Sequence, residues 1–211
     1  MNVYLLKYTE NENELLPLLS EQRKQVIDDI KNEKVKREKI YSYVLLRYAL
    51  LMEYGIFDAP EFTYGEKGKP FLKNTPEIHF SISHAGGFAA CVTADYPVGL
   101  DIQDYRPMKD DISCRICTKR ELHEEVYGGY SPTPSETTCK LWCMKEARSK
   151  LTGKGFAEGF DSIETLDLRE KGELIFKEYE DGFYISVCGY ERLPEINIIT
   201  VDEKEMHYTL L

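Results

Sequence analysis

Three short apolar runs follow one another between Ile78 and Gln103: "IHFSIS", "FAACVTA" and "VGLDIQ", separated only by "HAGG" and "DYP". Runs of this length, bounded by Gly, Pro and Asp, read as strands, and such short connections favour an antiparallel meander. "NVYLLKY" near the start reads as a strand, and "FTYGEKGKPFL" as an extended segment broken by a Gly-rich turn. "ELIFKEYE", "FYISVCGY" and "INIITVD" supply strands near the end. Helical periodicity fills the spaces between. Val35, Tyr43, Leu46 and Leu50 recur at helical spacing from Glu33 to Tyr54, and Gly55 is placed to end that helix. Polar, Leu-containing segments run from Asn11 to about Asn32, with Ser20 as an N-cap. After Pro107, "TKRELHEEV" opens on Thr118 as N-cap with Glu121 as its capping-box partner. "SETTCKLWCMKEARSKL" follows with Ser135 as N-cap and Gly153 near its end. The fold class is α+β. "GGFAACVTADYPVGLDI" and "DGFYISVCGYERLPEINII" share Gly-Phe, a strand, a Pro-bearing connection and a second strand, which suggests two similar halves. No Gly/Ser-rich linker separates them, so one compact unit is expected.

The chain has 211 residues, 42% hydrophobic, enough for a proper core. No apolar run approaches the roughly 20 residues of a membrane span. The N-terminal segment lacks the basic and apolar regions of a signal peptide, so the cytoplasm is expected. A net charge of −10 argues against a general nucleic-acid binder, although "KNEKVKREK" is locally positive. The six cysteines are expected to be reduced thiols. "CRIC" and "CKLWC" together have some likeness to a thiolate zinc site, but small buried hydrophobes are the favoured role for these residues.

Strand alternation puts Asp101 and Gln103 on one side, with Leu100 and Ile102 facing the core. Helical spacing puts Trp142, Glu146 and Lys150 on one stripe, flanked by Lys145 and Ser149. A surface ion pair is the plain reading of Glu146 and Lys150. Two carboxylates and a carboxamide on rigid elements also suit a hard cation such as Mg²⁺, with Lys145 and Lys150 neutralising a phosphate. His84, in the "SHAGG" turn, could donate to another phosphate oxygen, and Gly86 and Gly87 permit close backbone approach.

"GKPFL", "FSISHAGG", "VGLDIQ" and "LWCMKEARSKLTGKGF" resemble, in order and spacing, the motifs of phosphopantetheinyl transferases of the larger, two-lobed (Sfp-like) type. The resemblance runs from about Glu21 to Phe156. It implies a pseudo-dimer of two similar α/β lobes, each with a small antiparallel sheet packed on helices. Residues 1–105 would form the lobe on the nucleotide side and 106–211 the lobe carrying the Trp-Lys-Glu helix, with the active site at the junction. It implies transfer of phosphopantetheine from coenzyme A to a serine of an apo acyl or peptidyl carrier protein, with release of 3′,5′-ADP. Asp101, Gln103 and Glu146 would be ligands of Mg²⁺, with Mn²⁺ as the alternative ion, and Glu146 would also accept the serine proton. Lys150 would hold the pyrophosphate, and Arg23, Lys69, Ser83, His84 and Lys145 would hold coenzyme A. Glu121 aligns with a further acidic residue near the metal. A monomer suffices, and no nucleic acid or membrane partner is implied.

The chain departs from the pattern in two places. Gln103 stands where Asp-Ile-Glu is common, and an amide oxygen brings no charge. Val26 stands where a second lysine is common, leaving Arg37, Lys39 or Arg47 to compensate. The rival readings are a non-catalytic coenzyme A or carrier-binding module, and another Mg²⁺-dependent phosphoryl-transfer enzyme.

Overall fold

A computed structural model describes residues 1–9, 12–128, 134–155, 159–179 and 182–211. Asn11, Phe156 and Asp181, which bound segments named above, lie outside them. The chain falls into two compact units, Met1–Tyr96 with Glu195–Leu211, and Pro97–Pro194. Among the described residues, no helix is long and apolar enough to cross a membrane.

The first unit opens with β1 (Asn2–Lys7), then α1 (Glu12–Leu15), α2 (Glu21–Asp28) and the long α3 (Glu33–Tyr54). Ser20 caps α2 by accepting from the Arg23 N–H, as its position predicts. Asn32 caps α3, and Gly55 ends it in the left-handed region at φ 67°. The hairpin of β2 (Phe62–Tyr64) and β3 (Pro70–Leu72) follows, then β4 (His79–Ala85) and β5 (Phe88–Ala94). Gly86 and Gly87 join β4 to β5 with φ of 53° and 87°, the pair of positive values that a two-residue hairpin turn demands. His84 lies in β4, paired with Ala89, rather than in the turn. The sheet order is β4-β5-β1-β9, with β9 (Asn197–Val201) parallel to β1 and the other pairs antiparallel. Tyr4, Leu6, Ala89 and Cys91 from the sheet pack with Leu46 and Leu50 of α3 in one core, joined by Met206 and Leu210 of α8 (Glu203–Leu210).

The second unit runs β6 (Val98–Asp104), α4 (Asp110–Ile116), α5 (Lys119–Glu121), α6 (Pro134–Thr152), α7 (Thr165–Lys171), β7 (Leu174–Tyr179) and β8 (Phe183–Gly189). Its sheet is antiparallel in the order β6-β8-β7. The expected meander is therefore broken: β6 leaves β5 and pairs with β8, Asp101 opposite Ser186. The 105/106 division would put β6 with the first lobe and β9 with the second, whereas their hydrogen bonds join them to β8 and β1. Each unit repeats one plan, a strand, a long helix and a hairpin, with the first strand antiparallel to the hairpin's second strand. The capping box of Thr118 and Glu121 forms as predicted. Ser135 does not cap α6. The helix already includes Pro134, and Ser135 Oγ accepts from the Met108 N–H at 2.7 Å.

Candidate active site

The second unit brings α6 directly onto β6, and Gly99 is the reason it can. A Cβ there would lie 2.0 Å from the Ala147 carbonyl oxygen and 2.5 Å from the Leu151 nitrogen. Only glycine lets a helix backbone approach a strand this closely. Strand alternation then turns Asp101 and Gln103 to the same, helix-facing side as Gly99. Further along, Cys143 Sγ donates to the Asp101 carbonyl at 3.5 Å and Cys139 Sγ to the Asp104 carbonyl at 3.7 Å. The helix thus runs antiparallel to the strand. Sequence reading passed over Gly99, although its place in "VGLD" was the available signal.

This contact positions the polar group. Lys150 Nζ meets Asp101 Oδ1 at 2.7 Å, with the Asp101 side chain 7% exposed and that of Lys150 30%. Glu146, one turn before Lys150, is half-buried. Burial pushes its pKa up, the neighbouring Asp101 charge pushes it further, and Lys150 opposes both. Asp101, Glu146 and Lys150 therefore form one electrostatic cluster. Its two carboxylates fit the number of protein charges Mg²⁺ commonly takes. Among the described residues, no three His, Cys, Asp or Glu side chains group as a metal cage would require.

Gln103 sits beside this cluster with its amide engaged locally. Its Nε2 donates to the Asp104 carbonyl at 3.0 Å and to Asp104 Oδ1 at 3.2 Å. Lys145 is a correction to the sequence reading. It is wholly buried, and its ammonium meets the Phe160 carbonyl at 2.9 Å, the Ile163 carbonyl at 2.5 Å and Glu121 Oε2 at 2.7 Å. Three acceptors use the three N–H bonds of an ammonium, so none is left for a phosphate. Glu121 is likewise internal, accepting from the Thr118 N–H and from both the N–H and hydroxyl of Thr165. Its side chain is wholly buried. Cys139 and Cys143 pack with Tyr184 as small core residues, and burial pushes both thiols up.

The candidate coenzyme A residues of the first unit lie on α2, just before β3, and on β4. Arg23 on α2 is buried, donates to the Lys39 carbonyl at 3.0 Å and lies over the Tyr43 ring at 5.5 Å. Burial pulls its pKa down. Lys69, beside β3, is also lowered by burial, which marks it as a partly desolvated cation. Ser83 is buried in β4, and the next residue, His84, projects to the opposite face with Nδ1 3.6 Å from Glu38 Oε2. Of the compensating residues, Arg47 braces the carbonyls of Leu18, Phe57 and Leu210, and Arg37 pairs with Glu12.

Residues 97–193 match the model of the 4′-phosphopantetheinyl transferase superfamily. A 4′-phosphopantetheinyl transferase of Bacillus subtilis is 31% identical over 141 residues, covering 66% of this chain and 61% of that protein. The enzyme psf-1 of Bacillus pumilus is 35% identical over 143 residues, 65% and 58% of the two chains. Sfp of Bacillus subtilis strain 168 is 27% identical over 176 residues, 76% and 78%. The chain thus spans about three fifths of the length of the first two relatives. The matched stretch holds β6, α6 and the Asp101–Glu146–Lys150 cluster between them, so the part of the chain that carries the cluster is the part similar to the 4′-phosphopantetheinyl transferase superfamily.

Proposed function

We propose that this protein transfers the 4′-phosphopantetheine group of coenzyme A to the serine hydroxyl of an apo acyl or peptidyl carrier protein. The observation that carries the reading is the Asp101–Lys150 ion pair beside a Glu146 of raised proton affinity. In this reaction the serine oxygen bonds to the β-phosphorus, the bond from that phosphorus to the bridging oxygen breaks, and 3′,5′-ADP leaves. Glu146 accepts the serine proton, directly or through water, and its raised proton affinity suits that task. Lys150 exchanges its contact with Asp101 for a pyrophosphate oxygen, where negative charge grows. Lys69, Ser83 and His84, with Arg23, hold the nucleotide phosphates. Asp101 and Glu146 hold Mg²⁺ or Mn²⁺, with Gln103 contributing an amide oxygen or a bound water. The ion supplies charge stabilisation at the phosphoryl oxygens. One chain carries every residue named, which supports a monomer.

The test is mass spectrometry of several apo carriers after incubation with coenzyme A and Mg²⁺. A gain of one phosphopantetheine per carrier is expected, and none without the divalent ion. If coenzyme A binds and no carrier gains mass, the protein is a binding module and the transfer reading is wrong.

A further inference from the structure

Ser186 lies at the centre of the second unit's sheet, on β8, with β6 on one side and β7 on the other. Its register partners are Asp101 on β6 and Phe176 on β7, so these three side chains form one row across the sheet. Directly opposed residues of antiparallel strands project to the same face. That face is the one α6 covers, because Gly99 and Asp101 share it and Gly99 touches the helix. Ser186 is 0% exposed, and its Oγ makes no hydrogen bond.

A wholly buried hydroxyl without a partner is uncommon and calls for an explanation. Its strand is hydrogen-bonded on both sides, so the adjacent backbone groups are committed to the ladders. Phe176 offers no acceptor. Asp101 does, from about 5 Å between β-carbons in such pairs, a span that a serine and a carboxylate close by rotation about their side-chain bonds. In this structure Lys150 holds Asp101 Oδ1 from the helix side. When Lys150 turns to a substrate phosphate, the carboxylate loses that contact.

We propose that Ser186 is a positioning residue for Asp101: its hydroxyl donates to the Asp101 carboxylate in the substrate-bound state and holds it in the orientation that ligates the divalent ion. This rests on the transferase reading above. Serine serves better than alanine because it supplies a donor, and better than a charged residue because it costs less to bury while idle. The hydroxyl is a reserve partner, unused in the resting fold and engaged when Lys150 leaves.

The experiment compares the parent with Ser186→Ala and Ser186→Cys in three measurements. These are thermal melting without metal, Mn²⁺ binding by calorimetry in the presence of coenzyme A, and transfer rate against Mg²⁺ concentration. Because the resting hydroxyl has no partner, Ser186→Ala should melt within about 2 °C of the parent or above it. It should bind Mn²⁺ about tenfold more weakly and need correspondingly more Mg²⁺ for half-maximal rate. Ser186→Cys, a weaker donor, should fall between. Parent-like Mn²⁺ affinity in Ser186→Ala overturns the proposal, and so does a melting temperature lowered by 5 °C or more, which would make the hydroxyl structural. If the parent transfers phosphopantetheine while Ser186→Ala matches it, only this proposal fails. A parent that transfers nothing and binds no Mn²⁺ removes the transferase reading and this proposal together.

Discussion

Lys145 Nζ lies 2.7 Å from Glu121 Oε2, and neither side chain reaches solvent. Five residues further along α6, Lys150 makes a contact of the same length to Asp101, but with its side chain partly open to water. One helix thus carries a lysine sealed inside the fold and a lysine partly open to water.

Replacing Lys145 by Met should be costly to the fold. It leaves Glu121 buried without its counter-charge, and breaking such a pair typically costs about 3–5 kcal/mol. Urea unfolding should show that loss for Lys145→Met and a smaller one for Lys150→Met, whose lysine is partly solvated although its partner Asp101 is buried. Activity should show the reverse for the molecules that remain folded. A stable Lys145→Met with weakened coenzyme A binding would restore Lys145 to the ligand site.

Gly99→Ala tests the helix–strand contact. The new methyl would overlap the Ala147 carbonyl at 2.0 Å. Either α6 shifts or the unit unfolds, and a loss of at least about 3 kcal/mol is expected from overlap with backbone. Near-parental stability by denaturant titration would mean that the contact is looser than described.

Asp101→Ala and Glu146→Ala should each nearly abolish transfer, since each deletes a charge that water cannot replace. Gln103→Ala should do far less, because its Nε2 is occupied with Asp104 and a water can take the place of its amide oxygen. Gln103→Glu exchanges that donor for a carboxylate facing Asp104, so it should lower the Mg²⁺ needed for half-maximal rate while reducing stability in metal-free buffer. A Mg²⁺ titration of the four variants reads the first effect, and melting with and without Mg²⁺ reads the second. Gln103→Ala as inactive as Asp101→Ala, yet folded, would contradict this assignment.

Glu146 gives a pH signature. Its carboxyl holds a proton more tightly folded than unfolded, so the parent loses stability as pH rises from the ordinary carboxylate value to the raised one. Glu146→Gln removes that loss. In metal-free buffer the variant should be more stable than the parent at about pH 8 and should converge on it below about pH 4, where both states of the parent become protonated. A stability difference that stays the same across that range would show that Glu146 is not destabilised in its charged form.

The thiols should separate by accessibility. Cys114 is exposed and the other five are buried. An excess of a colorimetric disulfide reagent should release about one equivalent at once and the rest only on unfolding. Rapid reaction at Cys139 or Cys143 would show that α6 lifts from β6.

Local signals were the legible ones. The caps at Ser20, Thr118 and Gly55 depend on residues a few positions away, and all three form as the sequence predicts. The Asp101, Glu146 and Lys150 cluster was legible because strand and helix periods state which side chains share a face. The partner of β6 was not, since alternation tells which side of a strand is buried and is silent on the neighbour. Lys145 was misread for a related reason. Its acceptors at Phe160 and Ile163 are carbonyls, which carry no signature in the amino-acid code. Its neighbours one turn away, Leu141 and Ser149, are both buried and are the one local hint that it points inward.

Strand β9 has a consequence for the order in which the protein is made. It lies parallel to β1, with Val3 opposite Ile198, so β1 is completed by a strand synthesised only after the whole of the second unit. The stretch Pro97–Pro194 is continuous and has every strand of its own sheet before Asn197 leaves the ribosome. The nascent chain therefore carries a finished second unit while β1 still exposes an open edge, a row of unpaired amides that invites pairing with other chains. That edge of β1 is covered only when Asn197–Val201 pairs with it, so its exposure belongs to the interval before β9 emerges.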